Sequence, residues 1–359
     1  MFEYTVGMPE TPHGRGTALN PANRFDELAY EWEQSADPSD NPAPKTRFFK
    51  DNTKSILVKN DSPDISFTWS LNTYRGCEHG CVYCYARPYH EYLGLSSGLD
   101  FETMIFVKED APALLARELA KPSWEPDVIA LGGVTDVYQP IERKLEITRK
   151  CLQVLADARN PCGLVTKNAL VTRDIDVFQE LRKQAGVRVM ISLTTLDPVL
   201  ARRMEPRASA PSARLAAMRE LAKAGIPVGV MTAPLILGLT DHELPNLLEA
   251  ASEAGATVAG YVPLRLPHQL GSLFDDWLKN HYPDRRDKVL NQIKSMRGGA
   301  LNDPRFGSRM RGEGVYAEHL EKLFTLTCRR LGLNKGGRHG EMETSNFRRP
   351  ILDGQLRLI

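Results

Sequence analysis

From about Ile65 to Leu264 the chain alternates short apolar runs with amphipathic stretches six times over, and few architectures accept that order. The apolar runs are Ser66–Thr73, Asp127–Leu131, Gly163–Thr166, Val187–Thr194, Pro227–Thr232 and Thr257–Leu264. They are rich in Val, Ile and Leu, as strands buried on both faces of a parallel sheet are. Between them, Ala111–Ala120, Glu142–Ala158, Asp174–Gln184, Ala210–Ala224 and Asp241–Ala254 carry the spacing of amphipathic helices. In the fourth of these, Leu215, Met218 and Leu221 fall on one face, and Arg214 and Arg219 are expected to face away. Parallel strands joined by right-handed crossovers curl toward a barrel, and six steps leave it open. The expected fold is therefore α/β, a partial (β/α)6 TIM-like barrel with its ligands at the C-terminal strand ends.

Around this unit the composition divides the chain. Residues 1–60, rich in Pro, Asn, Asp and Gly, read as an N-terminal extension with one short helical stretch near Phe25–Glu33. The barrel is expected over 61–268 and a helical C-terminal region over 269–333. That region has Trp277, Leu278, Val289, Leu290, Ile293, Leu320 and Leu323 as apolar anchors that would cap the open side, and a basic tail follows over 334–359. The 46 basic and 45 acidic residues of the whole chain argue for no partner. Their distribution says more, since Arg285–Ile359 holds 16 Lys or Arg against 8 Asp or Glu. Such an excess suits either a phosphate-binding patch or a solvated helical surface. Six cysteines in 359 residues, no signal peptide and no long apolar run point to a reducing cytoplasm and no membrane.

Three of those cysteines lie in Arg75–Arg87, written RGCEHGCVYCYAR. Thiolates from Cys77, Cys81 and Cys84 on so short a loop can cup one face of a cubane iron–sulfur cluster, leaving one iron open to chelate a small molecule. A structural zinc site is the alternative, with His79 or His90 as the fourth ligand. Cys151, Cys162 and Cys328 are isolated and read as small buried apolar residues.

The CxxxCxxC loop, with Tyr83 before its third cysteine, resembles that of the radical S-adenosylmethionine (SAM) superfamily. The resemblance implies a [4Fe–4S] cluster on Cys77, Cys81 and Cys84, with SAM bound beside it. The run TDVYQPIE after Gly132-Gly133 resembles the branch that contains spore photoproduct lyase, and Tyr83 and Tyr85 flank the last cysteine as the paired tyrosines of that branch do. By this resemblance Tyr83 and Tyr85 are catalytic candidates. Gly132, Gly133, Thr135 and Asp136 stand where the superfamily holds the methionine amine, and Lys167 of Val165-Thr166-Lys167 where it holds the carboxylate. Ser192 and Thr194 of Ile191–Thr194 lie in the segment near the ribose, and Arg207 in the Glu205-Pro206-Arg207 stretch after it. Gly133 takes the place of a cysteine that returns a hydrogen atom in the lyase, which makes the lyase's own route doubtful. Cys162 then stands as a substitute donor or a packing residue. Over its whole length the chain resembles an uncharacterised bacterial branch, through GRGTALNPANRF and SPDISFTWSLNTYRGCEHGCVYCYARP.

These similarities imply reductive cleavage of SAM to a 5′-deoxyadenosyl radical that takes hydrogen from a macromolecule, nucleic acid foremost. They also imply an electron donor of the flavodoxin or ferredoxin type. Gln355–Ile359, in DGQLRLI, resembles the peptide by which DNA-processing enzymes dock onto the sliding clamp. Peptide modification and a non-catalytic iron–sulfur sensor are the competing functions. Gly132, Lys167 and Ser192 stand against the sensor, which has no use for them.

Overall fold

The computed structural model describes residues 6–7, 11–25, 44–336 and 342–352. Apart from Phe25, the helical stretch expected near Phe25–Glu33 lies outside them, as does Gln355–Ile359.

Six strands form the scaffold: β1 Trp69–Leu71, β2 Ile129–Leu131, β3 Cys162–Thr166, β4 Val187–Ser192, β5 Val228–Leu235 and β6 Val258–Pro263. Each pairs in parallel with the next, in sequence order. Leu57–Lys59 adds an antiparallel strand beside β1, so β6 and Leu57–Lys59 are the two edges and the sheet stays open. This is the α/β, partial (β/α)6 arrangement that the alternation predicts. A second, three-stranded sheet joins Arg47–Lys50, Met104–Val107 and Tyr74–Arg75. Arg47–Lys50 and Leu57–Lys59 fall in the segment read as an extension. Three or four residues are too few to show a period, and each strand forms by pairing, Leu57–Lys59 with nearby β1 and Arg47–Lys50 with the distant Met104–Val107.

The helices are α1 Ala111–Ala120, α2 Ile147–Asp157, α3 Ile175–Gln184, α4 Pro211–Lys223 and α5 Leu244–Glu253. The helix expected over Glu142–Ala158 is broken at Glu146, which adopts φ +53°. Glu142 explains the break: its buried carboxylate accepts from the Thr148 amide at 3.0 Å in the first turn of α2 and from the Tyr74 hydroxyl at 2.5 Å. Beyond the sheet, α6 Leu270–His281 and α7 Pro283–Ser295 share one apolar cluster with Cys81, Val82 and Tyr83. The last long helix, α8 Val315–Leu331, packs on α5 and sets Phe324 4.7 Å from the ring of Tyr261 on β6. Among the described residues no helix is long and apolar enough to cross a membrane.

Candidate cofactor site

The cysteine loop leaves the strand Tyr74–Arg75 and ends in the 3₁₀ helix Arg87–Leu93. Its backbone is held from three sides. The Cys77 amide donates to Phe101 O at 2.9 Å and the Val82 amide to Met204 O at 3.0 Å. From below, the fully buried Arg87 donates to Gly80 O at 3.2 Å and Cys81 O at 2.9 Å, and also to Ser97 O and Gly98 O. Its charge is matched by buried Glu102 at 2.5 Å, whose other oxygen accepts from the Gly16 amide at 2.9 Å. An N-terminal strap thus reaches the loop, so closely that a Cβ on Gly16 would lie 1.6 Å from Gly80 O.

All three thiols are free, and no three His, Cys, Asp or Glu among the described residues converge on a single ion. That arrangement disfavours a lone zinc and fits a cubane, whose irons each take one thiolate. Of the two histidines offered for zinc, His79 is engaged by polar partners and His90 is packed among aromatic rings. His79 Nδ1 lies 3.3 Å from Asp136 and its Nε2 lies 3.4 Å from Asn168. His90 packs edge-on against Phe101, and burial pushes its pKa down to about 4. Burial likewise raises the Cys81 thiol to about 12, with Lys167 opposing the shift.

The strand ends meet this loop. After β2, Gly132 takes φ +91°, with the carbonyls of Thr135 and Val165 only 3.2 and 3.3 Å from where a Cβ would sit. The Gly133 carbonyl accepts from the Tyr85 hydroxyl. Thr135 and Asp136 are already engaged within the protein. Thr135 donates to Gly76 O at 2.7 Å, bracing the residue before Cys77. Asp136 accepts from Thr166 Oγ1 at 2.7 Å, from the Lys167 amide at 2.8 Å and from the Tyr138 amide at 2.9 Å, besides His79. Burial pushes the Asp136 carboxyl up, but His79 and these donors outweigh it and hold it at about 2.

Lys167 leaves the end of β3 with its Nζ 5.8 Å from the Tyr83 ring, and no carboxylate among the described residues pairs with it. Burial works against its charge, yet Cys81 and Glu205 keep its pKa raised. Ser192, ending β4, gives its hydroxyl to Ala233 O at 3.2 Å. Thr194 donates to Glu205 at 2.7 Å, and the Tyr83 hydroxyl binds the same carboxylate. Arg214, expected to face solvent, is buried instead: it pairs with Glu205 and donates to Ser209 O at 2.7 Å and Ser192 O at 3.1 Å. Burial raises the Glu205 carboxyl, but Arg214, Lys167 and Tyr83 outweigh it and hold it at about 2. Arg207 turns to Glu78 at 3.0 Å and Thr46 at 3.1 Å.

The structure thus gathers the three cysteines, Tyr83, Tyr85, Gly132, Gly133, Lys167 and Ser192 at one end of the sheet, and spends Thr135, Asp136, Thr194, Arg207 and the Ser192 hydroxyl on internal bonds. Cys162 is fully buried at the opposite end of β3, roughly 13 Å from Thr166 by strand rise, and so is a packing residue. Sequence reasoning missed Arg87, Glu102 and Glu78. The one signal available was a charged residue placed directly after the cysteine loop, as in Tyr85-Ala86-Arg87.

Free thiols on one loop, a glycine pair tied to that loop, and an ammonium beside them that pairs with no carboxylate among the described residues form a donor set that fits an iron–sulfur cluster carrying an amino-acid ligand. The comparisons agree. An uncharacterized protein of Mycobacterium tuberculosis is 38% identical over 222 residues, covering 61% of this chain and 65% of that protein. An uncharacterized protein of Methanocaldococcus jannaschii is 30% identical over 222 residues, covering 62% of this chain and 79% of the other. The chain therefore spans about 65% of the length of the mycobacterial relative. Among solved structures, a spore photoproduct lyase variant with bound AdoMet and dinucleoside spore photoproduct matches with a TM-score of 0.58 at 18% identity, over 80% of each chain, a likeness of fold. The Radical SAM superfamily matches residues 71–251, half of the 359, and the chain belongs to that superfamily.

Proposed function

We propose that this chain is a radical SAM enzyme whose [4Fe–4S] cluster sits on Cys77, Cys81 and Cys84 and whose substrate is a macromolecule, nucleic acid foremost. The observation that carries the reading is three free thiols on a loop that Thr135 and Tyr85 tie to the Gly132-Gly133 strand end, with the Lys167 ammonium close enough to Cys81 and Cys84 to feel their charge and paired with no carboxylate among the described residues. When bound, the cluster and SAM supply a one-electron cleavage that yields a 5′-deoxyadenosyl radical able to abstract hydrogen. The protein's share is binding and orientation. Gly132 lets backbone carbonyls approach an ammonium group closely, Lys167 meets a carboxylate, and Ser192 stands beside the ribose position. Asp136, Thr135 and Arg87 hold the loop so that its thiolates keep one geometry. Tyr83, tied to Glu205 and Thr194, walls the interior, while Tyr85 stands at the opening, 46% exposed. The spore photoproduct lyase structure with dinucleoside spore photoproduct bound supports the nucleic-acid reading. Electrons are proposed to come from a flavodoxin- or ferredoxin-type donor.

The test is anaerobic reconstitution, addition of dithionite and SAM, and detection of 5′-deoxyadenosine by mass spectrometry, with Cys84→Ala alongside. Product formed by the wild type and lost in Cys84→Ala is the expected result. An intact cluster that binds SAM yet forms no 5′-deoxyadenosine, alone or with oligonucleotide added, would reject the enzyme reading.

A further inference from the structure

The C-terminal third is less of an anion patch than its composition suggests. Arg286 pairs with Asp275, Arg305 with Asp303 and Glu313, Arg309 with Asp64, and Arg330 with Glu249. Arg265, two residues beyond the end of β6, pairs with no carboxylate among the described residues. Its guanidinium lies 5.5 Å from the ring of Tyr85, the residue after Cys84, and Tyr89, Arg309 and Asp64 also surround it. Arg265 is partly buried, yet no side-chain or backbone oxygen among the described residues bonds it. Asp64, an acid whose charge reaches Arg265, is engaged by Arg309 and by the Gly307 amide at 2.6 Å.

The position is built. Buried Arg297 donates to Pro263 O at 3.1 Å, to Leu264 O at 2.9 Å and to Arg309 O at 3.1 Å, tying the backbone that carries Arg265 to the turn that carries Arg309. Burial and then Arg309 push the Arg265 pKa below its ordinary value, so an arriving anion would relieve an unmet charge.

Beside it lies an aromatic shelf. Tyr89 and Tyr92 stand three apart on the 3₁₀ helix Arg87–Leu93, whose period of three puts them on one face, with ring centroids 6.3 Å apart. They are 54% and 67% exposed, and Phe25 at 5.1 Å and the Arg24 guanidinium at 5.7 Å brace the Tyr92 ring, so the shelf is held in place with ring surface still open to solvent. We propose that Arg265 with Tyr85, Tyr89 and Tyr92 forms the substrate subsite for single-stranded nucleic acid, with a phosphate at Arg265 and bases on the rings. Unpaired bases offer π-faces to such a shelf, whereas a duplex hides them and an acidic peptide has none. The inference rests on the proposed function for its place beside the cysteine loop.

Fluorescence anisotropy of the reconstituted full chain with a fluorescein-labelled oligothymidylate tests it, against a duplex of equal length and a poly-glutamate peptide. Arg265→Gln should weaken single-strand binding about tenfold and reduce the slope of log affinity against log salt by about 0.7, one phosphate's worth. Tyr92→Ala should also weaken binding about tenfold, but with the slope unchanged. Lys223→Gln, an exposed position at the far end of α4, should change nothing, and unchanged cluster absorbance shows that each variant is folded. Wild-type affinity in Arg265→Gln, equal affinity for duplex or peptide, or no wild-type binding to the oligonucleotide overturns the subsite. 5′-Deoxyadenosine without oligonucleotide binding removes the subsite alone. Arg265-dependent binding without 5′-deoxyadenosine removes the radical reading instead.

Discussion

Two buried ion pairs, Arg87–Glu102 and Arg214–Glu205, frame the cysteine loop, and each arginine also holds backbone carbonyls. Buried pairs gain little net stability, because desolvation offsets their attraction, but removing one partner is costly. They fix where the loop sits. The residue that couples this region to pH is His90, which burial, then opposed by the carbonyls of Met104 and Asp100, keeps largely neutral with a pKa of about 4 against an ordinary 6.5. The folded chain binds fewer protons there than the unfolded chain, so stability is complete above about pH 6.5 and is lost as pH falls toward 4. Between pH 7.5 and 5.5 anaerobic chemical denaturation should show a loss of about 1 kcal/mol. His90→Phe, which suits neighbours Phe101 and Phe106, should remove most of that dependence, with His268 and His281, also lowered by burial, carrying the rest, and an unchanged slope would place the titrating group elsewhere. At this scale the sequence was a partial guide. It marked the cysteines, Gly132 and Lys167, but it also placed Arg214 in solvent. A 3.6-residue pattern counts apolar residues and does not register an arginine buried through Glu205, a partner outside the helix at the end of Pro198–Met204.

Among the elements, α6 and α7 do more than cover the sheet. Trp277, 2% exposed, stacks on Phe274 at 5.5 Å, donates its indole N–H to Arg203 O at 3.0 Å, and belongs to the apolar cluster of Val82 and Tyr83. Trp277→Ala should cost about 3–5 kcal/mol of unfolding free energy, from lost burial plus the cavity left behind. A cost below about 1 kcal/mol in the same denaturation experiment would mean that the helices pack on the loop without supporting it. The helix spans were readable from their periodicity. The break at Glu146 was not, because it depends on Glu142 bonding both Thr148 and Tyr74.

For the molecule as a whole, the site joins parts distant in the chain: the strap at Gly16, the loop, the ends of β2 to β4 and the C-terminal helices. Gly16→Ala probes that closure, since its Cβ meets the Gly80 carbonyl and Glu102 is already tied to the Gly16 amide. Crowding of this kind costs about 1–3 kcal/mol and here displaces the cysteine loop. Reconstituted Gly16→Ala should hold about twofold less iron or lower, and wild-type iron content would show that the strap is not needed. The open, parallel α/β scaffold and the three thiols could be derived from sequence alone. Strand burial and cysteine spacing are local patterns, legible within a few residues. The spending of Asp136, Thr135 and Arg207 on internal bonds, the burial of Arg214 and the lack of a carboxylate partner for Arg265 among the described residues required the tertiary structure. A charged side chain's role depends on which partners reach it, and those partners arrive from elements far apart in the chain.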